Sequence, residues 1–171
     1  MATKLFIILG NQLFDPIILK EVGCNRVFMA EDFGLCTYEK HHKLKLYLFL
    51  TAMREYCTEL ESHGIIVDYF PLEGRKKEES YVKLLLNYLH KSKFSSINIF
   101  EIEDKPFEKI LFQELENSEI KLTINNSPMF LFTRSTLKSS LGDKKLFRMG
   151  HFYKFSRKSQ NILLDSNEKP V

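Results

Sequence analysis

The run Leu5-Phe6-Ile7-Ile8-Leu9 limits the fold more than any other feature of the chain. It is apolar at every position rather than at alternate ones, so both of its faces must be covered, and such runs belong to central strands of parallel sheets. It ends in Gly10-Asn11-Gln12, a polar turn. Parallel strands need long crossovers, so helices are expected between this strand and the next ones.

The rest of the first 126 residues follows that expectation. Short strands are predicted over Arg26–Ala30, Ile65–Phe70, Ser95–Phe100 and Ile120–Ile124. Between them, a long helix is predicted over His41–His63, with Leu46, Leu50, Met53, Cys57 and Leu60 on one face and Gly64 as its stop. Further helices are expected over Tyr81–Leu89 and Pro106–Leu115, the latter with its proline tolerated in the first turn. Strands alternating with helices after a short first crossover read as α/β: a Rossmann-like, doubly wound, five-stranded parallel sheet with helices on both faces. After the turn cluster Asn125-Asn126-Ser127-Pro128, two helices over Phe130–Leu141 and Phe147–Lys158 would form a carboxyl-terminal helical extension. The expected domains are 1–126, a basic extension over 127–163, and a linker over 164–171.

Composition narrows the function classes. The chain has 171 residues, 44% of them hydrophobic and 27% charged, with 15 Phe and no Trp. No apolar run nears the roughly 20 residues needed to span a bilayer, and Leu5–Leu9 is too short for a signal peptide. No membrane partner and a cytoplasmic location are expected. The three cysteines, Cys24, Cys36 and Cys57, fit neither a disulfide framework nor a metal site. Net charge is +3, but Arg134 to Lys158 holds eight Arg or Lys and one acid, so a basic arm follows a mildly acidic body.

In open parallel sheets, ligands bind outside the carboxyl ends of the strands, where strand order reverses. Gly10, Asn11 and Gln12 fall there after the first strand, Glu31 and the loop to Tyr38 after the second, and Glu101 to Asp104 after the fourth. Amides offer paired donors and acceptors, carboxylates accept from ring N–H or hydroxyl groups, and Phe33 and Tyr38 suit a planar ring. That inventory matches a heterocycle bearing hydroxyls, and ordinary loop capping explains it equally well. Gly10 opens neither dinucleotide nor phosphate-loop pattern. His41 and His42 point about 100° apart on a helix with no third ligand near, so a helix-end hydrogen bond is favoured over a metal pair. Cys36 lacks the partners of a nucleophile. No catalytic residue and no metal ligand is expected.

The basic segment interleaves Arg148, Lys154, Arg157 and Lys158 with Phe147, Phe152, Tyr153 and Phe155. Such interleaving serves nucleic acid. An amphipathic helix packing on a neighbouring domain accounts for the same pattern, and is favoured.

Several segments together resemble one family. They are Ile7-Ile8-Leu9-Gly10-Asn11-Gln12-Leu13, Met29-Ala30-Glu31, Tyr38-Glu39-Lys40-His41-His42-Lys43-Leu44-Lys45-Leu46 and Ala52-Met53-Arg54, followed by Arg148-Met149, Phe152-Tyr153, and Leu163-Leu164 before Pro170-Val171. The chain resembles the photolyase–cryptochrome proteins of the bacterial iron–sulphur class, the deoxyribodipyrimidine photolyase-related proteins. The resemblance implies an amino-terminal antenna domain of a longer protein, cut in the interdomain linker before a Gly-Gly-x-Trp segment. In the family, a separate carboxyl-terminal domain carries flavin adenine dinucleotide and a four-cysteine iron–sulphur cluster, and performs light-driven DNA repair of (6-4) lesions or cryptochrome signalling. The antenna domain of several members holds the chromophore 6,7-dimethyl-8-ribityllumazine. Gly10, Asn11, Gln12, Glu31, Leu35, Tyr38 and Glu101 are the expected binding positions for that pigment. Lumazine-binding members commonly have Asp where Asn11 stands and Glu where Leu35 stands, and each lost polar partner would cost roughly 1–3 kcal/mol. The expected partners are the flavin domain and, in the full-length context, DNA. The alternative is a freestanding module whose basic arm docks a separately encoded flavin domain or nucleic acid.

Overall fold

The computed structural model describes residues 5–92, 94–118, 120–142, 146, 148–167 and 169. The expected α/β fold is present. Strands β1 (Leu5–Ile7), β2 (Arg26–Ala30), β3 (Ile66–Phe70), β4 (Ser96–Phe100) and β5 (Lys121–Asn125) form one five-stranded sheet in the order β3-β2-β1-β4-β5. All four pairings are parallel. Helices α1 (Pro16–Glu21), α2 (Phe33–Thr37), α3 (Lys43–Ser62), α4 (Tyr81–Ser92) and α5 (Lys105–Glu116) alternate with the strands.

The apolar run that opens the chain is buried throughout, and its residues divide between two cores. Leu5, Ile7 and Phe28 pack with Leu85 and Leu89 of α4 and Leu111 of α5. Phe6, Ile8 and Val27 pack on the other face with Leu19 of α1 and with Met53 and Leu60 of α3. Burying one such aliphatic or aromatic side chain contributes about 1.5–3 kcal/mol. Continuous apolarity is thus the mark of a strand covered on both sides.

Element ends follow local chemistry. Asp15 caps α1 by accepting from Ile17 N, with Pro16 in the first turn, and Asp104 caps α5 by accepting from Phe107 N. The long helix starts at Lys43 rather than His41, because the His42 ring caps it: Nδ1 accepts from Leu44 N at 3.2 Å. Gly64, at φ +77°, turns the chain out of α3 in a conformation that side chains disfavour. On the core face of α3, Tyr56 is buried where Cys57 was expected, and its hydroxyl donates to the Phe14 carbonyl at 2.6 Å. The segment Phe33–Thr37, expected as loop, is a single helical turn capped by Asp32.

Contacts divide the chain into a unit through Ser127 and a second from Pro128. The second unit carries α6 (Arg134–Leu141) and α7 (Met149–Gln160). Helix α6 begins later than the expected Phe130, because Thr133 accepts from Thr136 N and fixes the start there. Phe132, Phe152 and Phe155 form a three-ring cluster with centroids 5.5–6.0 Å apart. Phe147, and Pro170 with Val171, lie outside the described residues. Among the described residues, no helix is long and apolar enough to cross a membrane.

Candidate functional site

The chain runs outward from β1 through β2 to β3, then returns to place β4 on the other side of β1. Strand order therefore reverses beside β1, the place where open parallel sheets leave a crevice. A hollow of about 220 Å³ lies at that end of the sheet. The segment after β1 supplies Gly10 and Asn11, the end of β2 supplies Glu31 and Asp32, and Ile102 and Asp104 follow β4. Its volume falls below the roughly 300–1,000 Å³ of sites for drug-sized ligands, which suits a compact ring system.

Helix α3 closes one side with Leu46, Phe49 and Met53, while α2 and its exit contribute Leu35, Cys36 and Tyr38. Gly10 sits tightly under α3: a Cβ there would fall 2.6 Å from the Phe49 ring and 2.7 Å from Met53 Sδ. The absence of a side chain at Gly10 is what lets α3 approach the end of β1. Leu35 and Tyr38 are both exposed, and the Tyr38 ring meets His41 edge-on at 5.4 Å between centroids.

Five of the seven expected binding positions line the hollow: Gly10, Asn11, Glu31, Leu35 and Tyr38. Gln12 and Glu101 do not. Gln12 is fully buried, and its Nε2 donates to the Glu101 carbonyl at 2.9 Å, tying the end of β1 to the end of β4. The Glu101 backbone N–H donates to the Asn125 carbonyl at 2.8 Å. Those two residues hold the strand ends in place.

Glu31 also differs from its expected part. Its side chain is buried, and its carboxylate already accepts from Arg54 Nε at 2.6 Å and Nη2 at 3.0 Å, from the Tyr69 hydroxyl at 2.7 Å and from Leu72 N at 2.9 Å. Four protein donors occupy its oxygens, leaving little for a ligand edge. Burial raises its pKa, but these donors outweigh burial and hold the carboxyl below its ordinary value. Its carbonyl accepts from Arg75 Nη1, so the second strand is pinned from two directions.

Sequence reasoning missed Phe49, Tyr81 and Phe107, which line the hollow, and placed Asp32 there only as part of the loop from Glu31 to Tyr38. Asp32 was legible as a cap, three residues before Leu35, whose N–H its Oδ1 accepts at 2.9 Å. Burial pushes the Cys36 thiol pKa up, and the nearby charges of Asp32 and Glu31 push it further, which disfavours the thiolate. Burial likewise pushes Cys24 to about 11.

In the second unit, Arg148 and Lys154 are exposed. Arg157 is committed within the chain: Nε donates to the Ile162 carbonyl at 3.3 Å, Nη2 donates to the Leu163 carbonyl, and the guanidinium lies 5.6 Å from the Tyr153 ring centroid.

Residues 6–171 match the family described as deoxyribodipyrimidine photo-lyase-related protein. The chain is 24% identical over 177 residues to a (6-4) photolyase of Agrobacterium fabrum (strain C58 / ATCC 33970), covering 99% of this chain and 34% of that protein. It is 30% identical over 133 residues to an uncharacterized protein of Acanthamoeba polyphaga mimivirus, covering 75% of this chain and 64% of the viral one. The chain therefore spans less than two thirds of the length of either relative.

Proposed function

The chain belongs to the deoxyribodipyrimidine photo-lyase-related protein family, and from that premise we propose that its α/β unit is the amino-terminal antenna and scaffold of a photolyase-like protein. The observation that carries the reading is the hollow at the strand-order reversal, whose lining includes Tyr38, Phe49, Phe107 and Asn11. Aromatic lining favours a planar heterocycle, and 6,7-dimethyl-8-ribityllumazine is the pigment we propose for the hollow. A bound lumazine supplies light absorption and passes excitation onward. The protein's part is to hold it, exclude water from its ring and fix its orientation.

Catalysis belongs to a flavin-bearing domain outside these residues. The three cysteines, all free thiols, offer no four-ligand set for an iron–sulphur cluster, and free thiols suit the cytoplasm. Residues 127–163 serve as an extension that docks the flavin domain, 164–171 as the connection to it, and light-driven repair of (6-4) lesions is the activity of the whole. A second reading, a freestanding module that docks nucleic acid, is favoured by the exposed Arg148 and Lys154 beside the exposed rings of Tyr153 and Phe155 on α7.

Titrating lumazine into the purified chain and following the polarisation of its fluorescence tests the antenna reading. Saturable uptake at one site per chain is expected. A signal that never saturates removes the antenna role.

A further inference from the structure

Helix α3 carries more apolar side chains than its own core and hollow take up. Over its first two turns Leu46 and Phe49 line the hollow, while Leu44, Tyr47 and Leu48 lie on the solvent side and are 64%, 71% and 70% exposed. A helix that is apolar on every side is normally buried. At about 3.6 residues per turn, Leu44, Leu48, Thr51 and Glu55 fall in one stripe about 60° wide, on the side of α3 away from the buried Met53. Their spacing of four, three and four residues is that of a heptad seam.

Charge divides the same helix in two. Lys40, Lys43 and Lys45 are exposed, and no acid lies between Lys40 and Leu50. From Thr51 to Ser62 the exposed acids are Glu55, Glu59 and Glu61, and the single cation of that half, Arg54, is taken up by Glu31 and Glu73. One end of the exposed face is thus positive and the other negative. A second copy of this helix complements the first when it runs antiparallel, which also brings opposite ends of the two helix dipoles together. An unrelated acidic protein would satisfy the lysines and leave Glu55 and Glu59 opposed by like charge.

We propose that the solvent face of α3 is a self-association surface, on which two copies of the chain pair antiparallel about a two-fold axis passing between Leu48 and Thr51. Leu44, Tyr47 and Leu48 of each copy fill the centre, and Glu55 of each comes between Lys43 and Lys45 of the other. Such an isologous contact makes every attraction twice and closes at two chains. A single helix pair sits at the low end of specific interfaces, about 1,200 Å² in total, so the dimer is reversible. The pairing is independent of what the hollow holds, because Leu46 and Phe49 lie on the other side of the helix.

Sedimentation of the full chain over a concentration series tests the pairing. The mass is expected to rise from one chain to two and stop there. Leu48→Asp, at an exposed position, should leave the melting temperature of the dilute chain nearly unchanged and abolish the dimer. Lys43→Glu and Glu55→Lys should each weaken self-association about tenfold or more, because each sets like charges together at two symmetric places. Mixed in equal amounts, those two variants should pair with each other about as tightly as two wild-type chains, since both contacts then join opposite charges. That rescue also shows that both variants are folded. A chain that stays monomeric at its highest soluble concentration overturns the proposal, as does a mass that grows past two chains. A dimer indifferent to Leu48→Asp would use another face, and single variants that fail to pair when mixed would remove the antiparallel arrangement; either result overturns it as well.

Discussion

The guanidinium of Arg54, on α3, closes on the buried carboxylate of Glu31, at the end of β2, with Nε 2.6 Å from Oε1 and Nη2 3.0 Å from Oε2. Arg54 is half exposed while the Glu31 side chain is fully buried, so the loss of the pair falls mainly on Glu31. Arg54→Ala should destabilise the α/β unit by about 2 kcal/mol, because hydrogen bonds to a buried charge are costly to leave unmade. Glu73, which also meets Arg54 but lies in solvent, should be dispensable. Urea denaturation of the two variants checks the contrast, and equal midpoints would remove Glu31 as the keystone of the site.

Acid should expose the same dependence. Burial raises the pKa values of Glu31 and Asp68, yet hydrogen bonds outweigh it: Arg54, Tyr69 and Leu72 N hold Glu31 below its ordinary 4.5, and Arg26 and Tyr88 hold Asp68 below 3.8. A carboxyl whose folded-state pKa is depressed contributes stability above its unfolded value and loses it as pH falls through the folded one. The melting temperature should therefore hold from neutrality down to the ordinary carboxyl range and fall below it. Glu31→Gln should start lower and show a shallower acid limb. An acid limb unchanged by Glu31→Gln would place the titration elsewhere.

Gly10 makes binding and stability separable. An added Cβ meets the Phe49 ring and Met53 Sδ, both near the ends of side chains that can swing. Gly10→Ala is expected to displace Phe49 into the hollow, at a cost of about 1–3 kcal/mol for overpacking. Lumazine uptake should drop far more than that stability loss implies, and Phe49→Ala in the same chain should restore room. Uptake unchanged by Gly10→Ala would mean that the pigment does not lie against α3.

Much of this architecture is written locally. Leu5–Leu9 declared a covered strand, His42 declared a helix end, and Gly10 stood where the sheet opens, because each statement depends on neighbours within a few residues. What the sequence hid depends on distant partners. Glu31 reads as a free carboxylate until Arg54, Tyr69 and Leu72 are folded onto it. Gln12 reads as a ligand amide until it reaches the Glu101 carbonyl, and Tyr81 reads as an ordinary core ring until the ends of β2 and α4 are brought to one hollow. Helix α2 was missed because five residues containing Gly34 show no period to read.

The basic arm yields a last prediction, and it separates residues that look alike in sequence. Phosphate contacts release counterions, so each cation that meets a phosphate steepens the fall of affinity with salt by about one unit of slope. Arg148 and Lys154 are exposed on α7 and at its start, whereas Arg157 already grips the Ile162 and Leu163 carbonyls and lies against Tyr153. If the arm meets DNA, Arg148→Ala and Lys154→Ala should each flatten the salt dependence by about one unit, measured by gel shift of the full chain over a salt series. Arg157→Ala should leave that slope alone and loosen the segment after α7, read as faster amide exchange around Ile162 and Leu163. An absence of any shift at low salt would end the nucleic-acid reading and leave these cations to a protein partner. Equal slope changes from all three variants would instead mean that Arg157 leaves its carbonyls to meet phosphate.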